Sequence, residues 1–318
     1  MIPTPLRIIF FGTAELACTS LAALVQNPLF EVIGVATQPD RPRGRDLKLQ
    51  PTPAKVEAQR RRLAVWQPLR AREETFIKGL AELKPDLIVV AAYGQILPSS
   101  ILELPRFGCL NVHASLLPKY RGAAPIQWAI LNDESETGVT IMKMDAGLDT
   151  GDILTQDKTV IVPEDNAQTL QDRVARLGAE LLMNTIPDYV EGKIAPRKQP
   201  PEQASHAPKI SKEDGRLDWK LPARTLWNRV RAFTPWPGAY TYYGGQSNLR
   251  RLKIWRAEVT PEARGSPGEI IQADKSGLVV ASGRQSLRIL DLQREGGRRL
   301  GAQEFLSGTG LQKGQLFQ

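Results

Sequence analysis

Residues 109–122 read CLNVHASLLPKYRG, a short apolar run followed at once by an amide, an imidazole, a hydroxyl and two basic groups. If 108–112 is a buried strand, Asn111 and His113 lie two residues apart and project from the same side at its carboxyl end. Open α/β sheets bind their ligands there. The chain has only two histidines, His113 and His206, so imidazole chemistry has few places to reside.

The flanking sequence supplies the sheet that this stretch needs. Residues 86–92 form an unbroken apolar run of the kind buried on both faces of a parallel sheet, ending in Tyr93-Gly94-Gln95, where a glycine permits close approach. After the central stretch come a helix over 124–131, a strand over 139–144 and the acidic loop DAGLDTGD. Asp145, Asp149 and Asp152 are all candidates in that loop, and spacing does not choose between them. Leu170, Val174, Leu177 and Leu181 fall at helical spacing and predict a long amphipathic helix over 169–190.

Toward the N-terminus, the apolar strand 6–11 passes through Gly12 and Thr13 into a helix over 14–26, with Thr13 as the expected N-cap. FFGTAELA has one glycine where a dinucleotide fingerprint needs three, which argues against a nicotinamide cofactor. A strand over 31–37 then leads into QPDRPRGRDLKLQPTPAK, an irregular exposed loop carrying Arg41, Arg43, Arg45 and Lys48. Crowded cations repel one another unless an anion visits them. Helices over 55–62 and 73–83 complete the alternation. The expected fold is a doubly wound, Rossmann-like α/β domain over 1–190.

Residues 191–209 turn polar and proline-rich, as a linker does. Beyond them, one helix over 222–232 and short segments at 239–243, 252–259, 268–273, 278–281 and 287–292 with glycine turns predict a small β-barrel over 210–318. The net charge of +8 is unevenly spread: residues 190–318 carry 22 Lys and Arg against 12 Asp and Glu, and residues 1–189 carry 20 against 22. A basic module joined to a near-neutral one points to a polyanionic partner, because lysines and arginines gain affinity for nucleic acid by releasing phosphate counterions.

No signal peptide or apolar span long enough for a bilayer is evident, so a cytoplasmic location is expected. Cys18 and Cys109 fit neither a disulfide framework nor a metal spacing, and both read as buried thiols. Ser115 lacks the flanking glycines of a nucleophile elbow. Amide and imidazole donors can instead stabilise an oxyanion while an external amine attacks a carbonyl, with a carboxylate orienting the imidazole. The pattern suits metal-free acyl transfer between two bound substrates.

The blocks FFGT, QPDRPRGR, AAYGQILP, NVHASLLPKYRGAAPIQWAI, GVTIMKMDAGLDTGDIL, KISKEDGRLDW and RAFTPWPGAY resemble the methionyl-tRNA formyltransferases over nearly the whole chain. Departures are Ala14 where proline is common, Lys119-Tyr120 for Arg-Trp, and His206 for an aromatic. The resemblance implies catalysis by Asn111, His113 and Asp149, and a pocket for 10-formyltetrahydrofolate lined by Tyr93, Gly94, Gln95, Ile96 and Leu97 and by Ser115, Leu116, Leu117 and Pro118. It also implies contacts to initiator methionyl-tRNA from Arg41, Arg43, Gly44, Arg45, Lys48, Arg121 and Lys209, a C-terminal oligonucleotide-binding (OB-like) barrel, and a working monomer. The specific blocks are shared with sugar-amine N-formyltransferases and 10-formyltetrahydrofolate hydrolase-like enzymes; the arginine loop and basic C-terminal module favour tRNA.

Overall fold

The apolar runs assemble into one mixed sheet. In the computed structural model, which describes residues 5–43, 48–244, 248–261 and 265–318, its strands are Leu6–Gly12 (β1), Phe30–Ala36 (β2), Val65–Trp66 (β3), Leu87–Ala91 (β4), Cys109–His113 (β5), Glu136–Lys143 (β6) and Ile153–Val160 (β7). They lie in the order β7-β6-β5-β4-β1-β2-β3. The five from β3 to β5 are parallel, while β6 runs antiparallel to β5 and β7 antiparallel to β6. All of β4 is buried, as expected of a strand covered on both faces. The chain moves outward from β1 to β3 and then returns to the other side of β1 to lay down β4, so the switch point lies between β1 and β4.

Thr13 sits at that switch point, and its role differs from the expected one. Ala14 takes the N-cap position of helix Glu15–Gln26 with no side-chain cap bond. The Thr13 hydroxyl instead donates to the Tyr93 carbonyl at 2.8 Å and accepts the Gln38 N–H at 3.3 Å. One hydroxyl thus ties the ends of β1, β2 and β4 together, where backbone groups leaving the sheet need new partners. The expected helix at 55–62 begins earlier, at Pro53, because Thr52 caps it by accepting the Lys55 N–H at 3.2 Å.

Strand β7 was not expected. Only its first two residues are buried, and the other six of ILTQDKTV are half-buried or exposed, so the apolar alternation that marks a half-covered strand is missing. Its pairing with β6 nevertheless fixes the loop between them. The segment 191–208 is likewise more than a tether. It packs within the first compact unit, which comprises residues 1–125, 136–160 and 171–208, and His206–Ala207 pairs in parallel with Arg121–Gly122.

The second unit, residues 126–135, 161–170 and 209–318, has its own core, including Trp219, Leu226, Leu252, Val280, Leu287 and Phe305. Its strands Ala239–Tyr243 (β8), Arg250–Thr260 (β9), Ile270–Asp274 (β10), Gly277–Ala281 (β11), Ser286–Arg294 (β12) and Arg299–Gly301 (β13) form an antiparallel sheet ordered β8-β9-β12-β11-β10, with β13 on β12. This is the antiparallel sheet expected of a small barrel, but it is not closed by these strands: among the described residues β8 and β10 do not pair. The chain end reaches both edges instead. Tyr242 and Gln318 exchange backbone bonds at 3.0 and 2.9 Å, and the Phe317 N–H donates to the Gly268 carbonyl at 2.8 Å. A short helix, Ala302–Ser307, also escaped the sequence reading. No helix among the described residues is long and apolar enough to cross a membrane.

Thr140, fully buried in β6, holds the turn after β5. Its hydroxyl donates to the Ser115 carbonyl at 2.7 Å and accepts the Leu117 N–H at 3.0 Å and Gln156 Nε2 at 2.9 Å. Thr140→Val keeps the shape but leaves the Ser115 carbonyl and Leu117 N–H without that partner. The expected loss is about 1–3 kcal/mol, read as a lower urea midpoint at unchanged slope; an unchanged midpoint would show that the hydroxyl does not support this turn.

Candidate active site

Strand β5 lies between β4 and β6, with Asn111 beside Val90 and Met142, and His113 beside Thr140. The two residues are 9% and 6% exposed, so the strand end presents them in a largely dehydrated place. Of the three aspartates that spacing left open, Asp149 is the one that reaches them. Its Oδ1 accepts Asn111 Nδ2 at 3.4 Å, and its Oδ2 faces His113 Nδ1 at 3.7 Å and accepts the Gly122 N–H at 2.8 Å. Asp145 is occupied within its own loop, accepting from Thr150 Oγ1 at 2.7 Å and the Gly147 N–H at 3.1 Å.

The imidazole of His113 is fixed from both sides. Nε2 lies 2.9 Å from the Tyr120 carbonyl, which can only accept, so that nitrogen carries a proton. Nδ1 faces a carboxylate. At 3.7 Å that contact is electrostatic rather than a formed hydrogen bond. Both supports sit on strained backbone, Tyr120 at φ 62° and Asp149 at φ 53°, a region non-glycine residues hold only where surroundings over-determine them. Gly122 is required as glycine: at φ +121° an added Cβ would also lie 2.7 Å from the Ala207 carbonyl oxygen.

The turn after β4 follows directly from the strand beside Asn111. Tyr93 is buried, with its phenol pushed up to about 12 by burial and by Glu73. Its carbonyl accepts from both Thr13 and Gln38 Nε2, the latter at 2.8 Å. Gly94 has φ +79°, and a Cβ there would meet Gln38 Nε2 at 2.5 Å. Gln95 Oε1 accepts the Ala71 N–H at 2.8 Å. Leu97 is buried, whereas Ile96 is 82% exposed, the one large apolar side chain of the turn open to a ligand. In the second stretch, Ser115 is buried with its hydroxyl donating to the Lys119 carbonyl at 2.6 Å, and Leu117 packs with Met142 and Ile153. These two hold the turn's shape, while Leu116 and Pro118 remain partly accessible.

The basic residues separate. Arg41 and Lys48 stand exposed on short paired strands, Arg41–Arg43 and Lys48–Gln50, and Arg41 Nη2 donates to Gln38 Oε1 at 2.7 Å. Gly44 and Arg45 lie outside the described residues, as does the side chain of Arg43. Lys209 is exposed. Arg121 is buried and gives Nε and Nη2 to Gln199 Oε1 at 3.0 and 2.7 Å. Cys109 is buried, its thiol pushed up to about 12 by burial, whereas Cys18 is only half-buried at about 11. Among the described residues no group of three or more His, Cys, Asp or Glu is disposed to hold a metal ion.

Two members of the site were missed by sequence reasoning. Ser205 accepts the Tyr120 N–H at 2.9 Å through its hydroxyl and the Arg121 N–H at 2.8 Å through its carbonyl. Gln199 bonds the carbonyls of Asp149 and Gly151. Both come from the proline-rich segment read as a linker, whose composition carries no periodic signal.

Comparison with known proteins meets this geometry from another side. Residues 6–186 match the family model for formyl transferase, and 209–310 match that for formyl transferase, C-terminal domain. A methionyl-tRNA formyltransferase of Caldanaerobacter subterraneus subsp. tengcongensis is 48% identical, covering 98% of this chain and 99% of its own. One from Geobacter metallireducens is 49% identical over 97% of each. Among solved structures, HypX from Aquifex aeolicus in complex with tetrahydrofolic acid has a TM-score of 0.63 at 18% identity, covering 98% of this chain and 49% of that one. The N-formyltransferase from Helicobacter canadensis, in complex with folinic acid and dTDP-3-aminofucose, has a TM-score of 0.63 at 22% identity, over 91% and 99%. Those structural likenesses speak for the fold. Identity near one-half over almost the full length of both chains, with both domain models matched in order, means that the chain belongs to the methionyl-tRNA formyltransferase family.

Proposed function

We propose that the chain transfers the formyl group of 10-formyltetrahydrofolate to the α-amino group of methionine on initiator methionyl-tRNA. The observation that carries the mechanism is the convergence of Asn111 and His113 on Asp149 at a dehydrated strand end. The amine nitrogen attacks the formyl carbon, giving a tetrahedral intermediate with negative charge on the former carbonyl oxygen. Asn111 Nδ2 has a second N–H to offer that oxygen, and protonated His113 supplies positive charge beside it. Asp149 holds the imidazole and helps take the proton that the amine must lose. Breaking the bond between the carbon and N10, with a proton delivered to N10, releases tetrahydrofolate and the formylated amine. The working unit is read as a monomer.

The folate is assigned to the 93–97 turn and the 115–118 turn, a reading supported by the exposed Ile96 and by the closeness of the first turn to Asn111. We read the second unit as a partly open OB-like barrel whose edges the chain end bridges, and as the grip on tRNA. One face supports this with interleaved cations and aromatics: Arg251 lies 3.8 Å from the Tyr240 ring centroid, Arg216 5.8 Å from Tyr242, and Lys253 and Arg299 5.6 and 5.5 Å from Trp255. Such faces stack bases and track phosphates. The loop carrying Arg41, Arg43, Gly44, Arg45 and Lys48 is assigned to the acceptor end, with exposed Lys209 as a further contact; Arg121, expected beside them, is buried against Gln199 and is assigned to the wall of the site instead. Labelled 10-formyltetrahydrofolate offered methionyl-tRNA, a nucleotide amino sugar or water in turn is the direct test; formyl transfer to the sugar, or free formate without an amine, would point to one of the two related activities.

Asn111→Ala and His113→Ala are each expected to keep folate binding in an equilibrium titration while kcat falls by about 10²–10³. Near-normal turnover in either would remove that residue from the mechanism.

The two basic regions should respond differently. Arg250→Ala combined with Arg251→Ala is expected to weaken all tRNAs alike and to reduce the slope of log affinity against log salt by about 1–2. Arg45→Ala should lower kcat on methionyl-tRNA and narrow the preference for initiator over elongator, with modest change in affinity. Kinetics on both tRNAs across a salt series decide it, and identical profiles for the two variants would abolish the distinction.

A further inference from the structure

We infer that Gln199 is a positioning residue for formyl transfer, holding the Asp149 loop against Asn111 and His113; the inference rests on the reading of Asp149 as catalytic. Gln199 is 8% exposed, yet its amide is fully occupied. Nε2 donates to the Asp149 carbonyl at 2.8 Å and to the Gly151 carbonyl at 2.7 Å. Oε1 accepts both Nε and Nη2 of the buried Arg121, at 3.0 and 2.7 Å. Two donors and two acceptor positions are all that a carboxamide has, so this side chain is spent on the walls of the site.

Its effect falls on Asp149 because that residue is strained. At φ 53° the backbone stays in place only if neighbours over-determine it, and two neighbours do so from opposite ends. Gly122 N–H fixes the carboxylate at 2.8 Å, and Gln199 fixes the peptide carbonyl. The chain carrying Gln199 is pinned two residues earlier, where Arg197 and Ile153 exchange backbone bonds at 2.8 and 2.9 Å. Gly151 leaves the loop little room to drift, since even a Cβ there would lie 1.9 Å from the Lys143 carbonyl oxygen. Arg121 shares the arrangement: it precedes Gly122, so the same glutamine steadies both the donor and the acceptor of the Gly122–Asp149 bond.

The informative variant is Gln199→Glu. It keeps an acceptor for Arg121, removes the Nε2 donor and sets a second carboxylate oxygen against two carbonyls. Gln199→Met keeps the volume and removes every hydrogen bond. Turnover per folded site, with sites counted by folinic acid titration, is expected to fall on the order of tenfold to a hundredfold in both variants, with KM for either substrate little changed. In an Asp149→Ala background the same Gln199 changes should cost nothing further, because residues acting as one unit are not additive. Normal turnover in Gln199→Glu, or an undiminished extra loss in the Asp149→Ala background, overturns the positioning role while leaving the proposed function intact. An active Asp149→Ala enzyme instead removes the catalytic reading on which the inference stands.

Discussion

The carboxylate of Asp149 gathers the Gly122 N–H, Asn111 Nδ2 and His113 Nδ1, and the architecture of the first unit follows from that convergence. Its side chain is 13% exposed, and a carboxylate withdrawn from water is tolerable only when donors replace its hydration. Those donors arrive from different elements: two from the end of β5 and one from the backbone at Arg121–Gly122, while the acceptor itself lies in the loop between β6 and β7. Registers are therefore part of the chemistry. A slip of β5 by one residue would send Asn111 and His113 to the other face of the sheet.

The cost of such a site lies in its loops, which leave backbone groups buried away from regular pairing. Threonine and glutamine side chains answer it. Thr13 joins the ends of three strands, Thr140 holds two backbone groups of the 115–118 turn, and Gln38 lies between the Tyr93 carbonyl and Arg41. None of these residues carries charge or nucleophilic character. Their contribution is shape: each replaces a hydrogen bond that the sheet cannot supply where the chain leaves it.

Much of this was legible in the sequence, and the failures share a physical cause. The fully apolar β4, the spacing of Asn111 and His113, and the amphipathic helix Ala167–Val190 follow from periodicity, because burial imposes a pattern on side chains. Strand β7 was hidden because an edge strand covered at one end has no such pattern. The family resemblance singled out Asp149, but spacing did not separate it from Asp145 and Asp152: all three are acidic residues in a glycine-rich loop, and only the backbone path decides which reaches His113. Gln199 and Ser205 were invisible for a related reason. Side chains that bond to distant backbone leave no mark on composition, and the prolines around them suggested a tether.

Charge divides the chain along a different line. The site pairs its charges locally, so excess positive charge in residues 1–189 would add little to a mechanism built on neighbouring donors. Residues 190–318 hold the surplus, and part of it is kept at some cost. Burial and the nearby Arg251 hold the Lys253 ammonium below the usual lysine range, and Arg251 Nε finds no hydrogen-bond partner among the described residues. Other cations on this sheet are only partly offset, Arg256 and Arg299 sharing the one carboxylate of Asp291 at 3.2 and 2.6 Å. Aromatic faces stabilise Arg251 and Lys253 only partly. An anion beside them would offset their mutual repulsion.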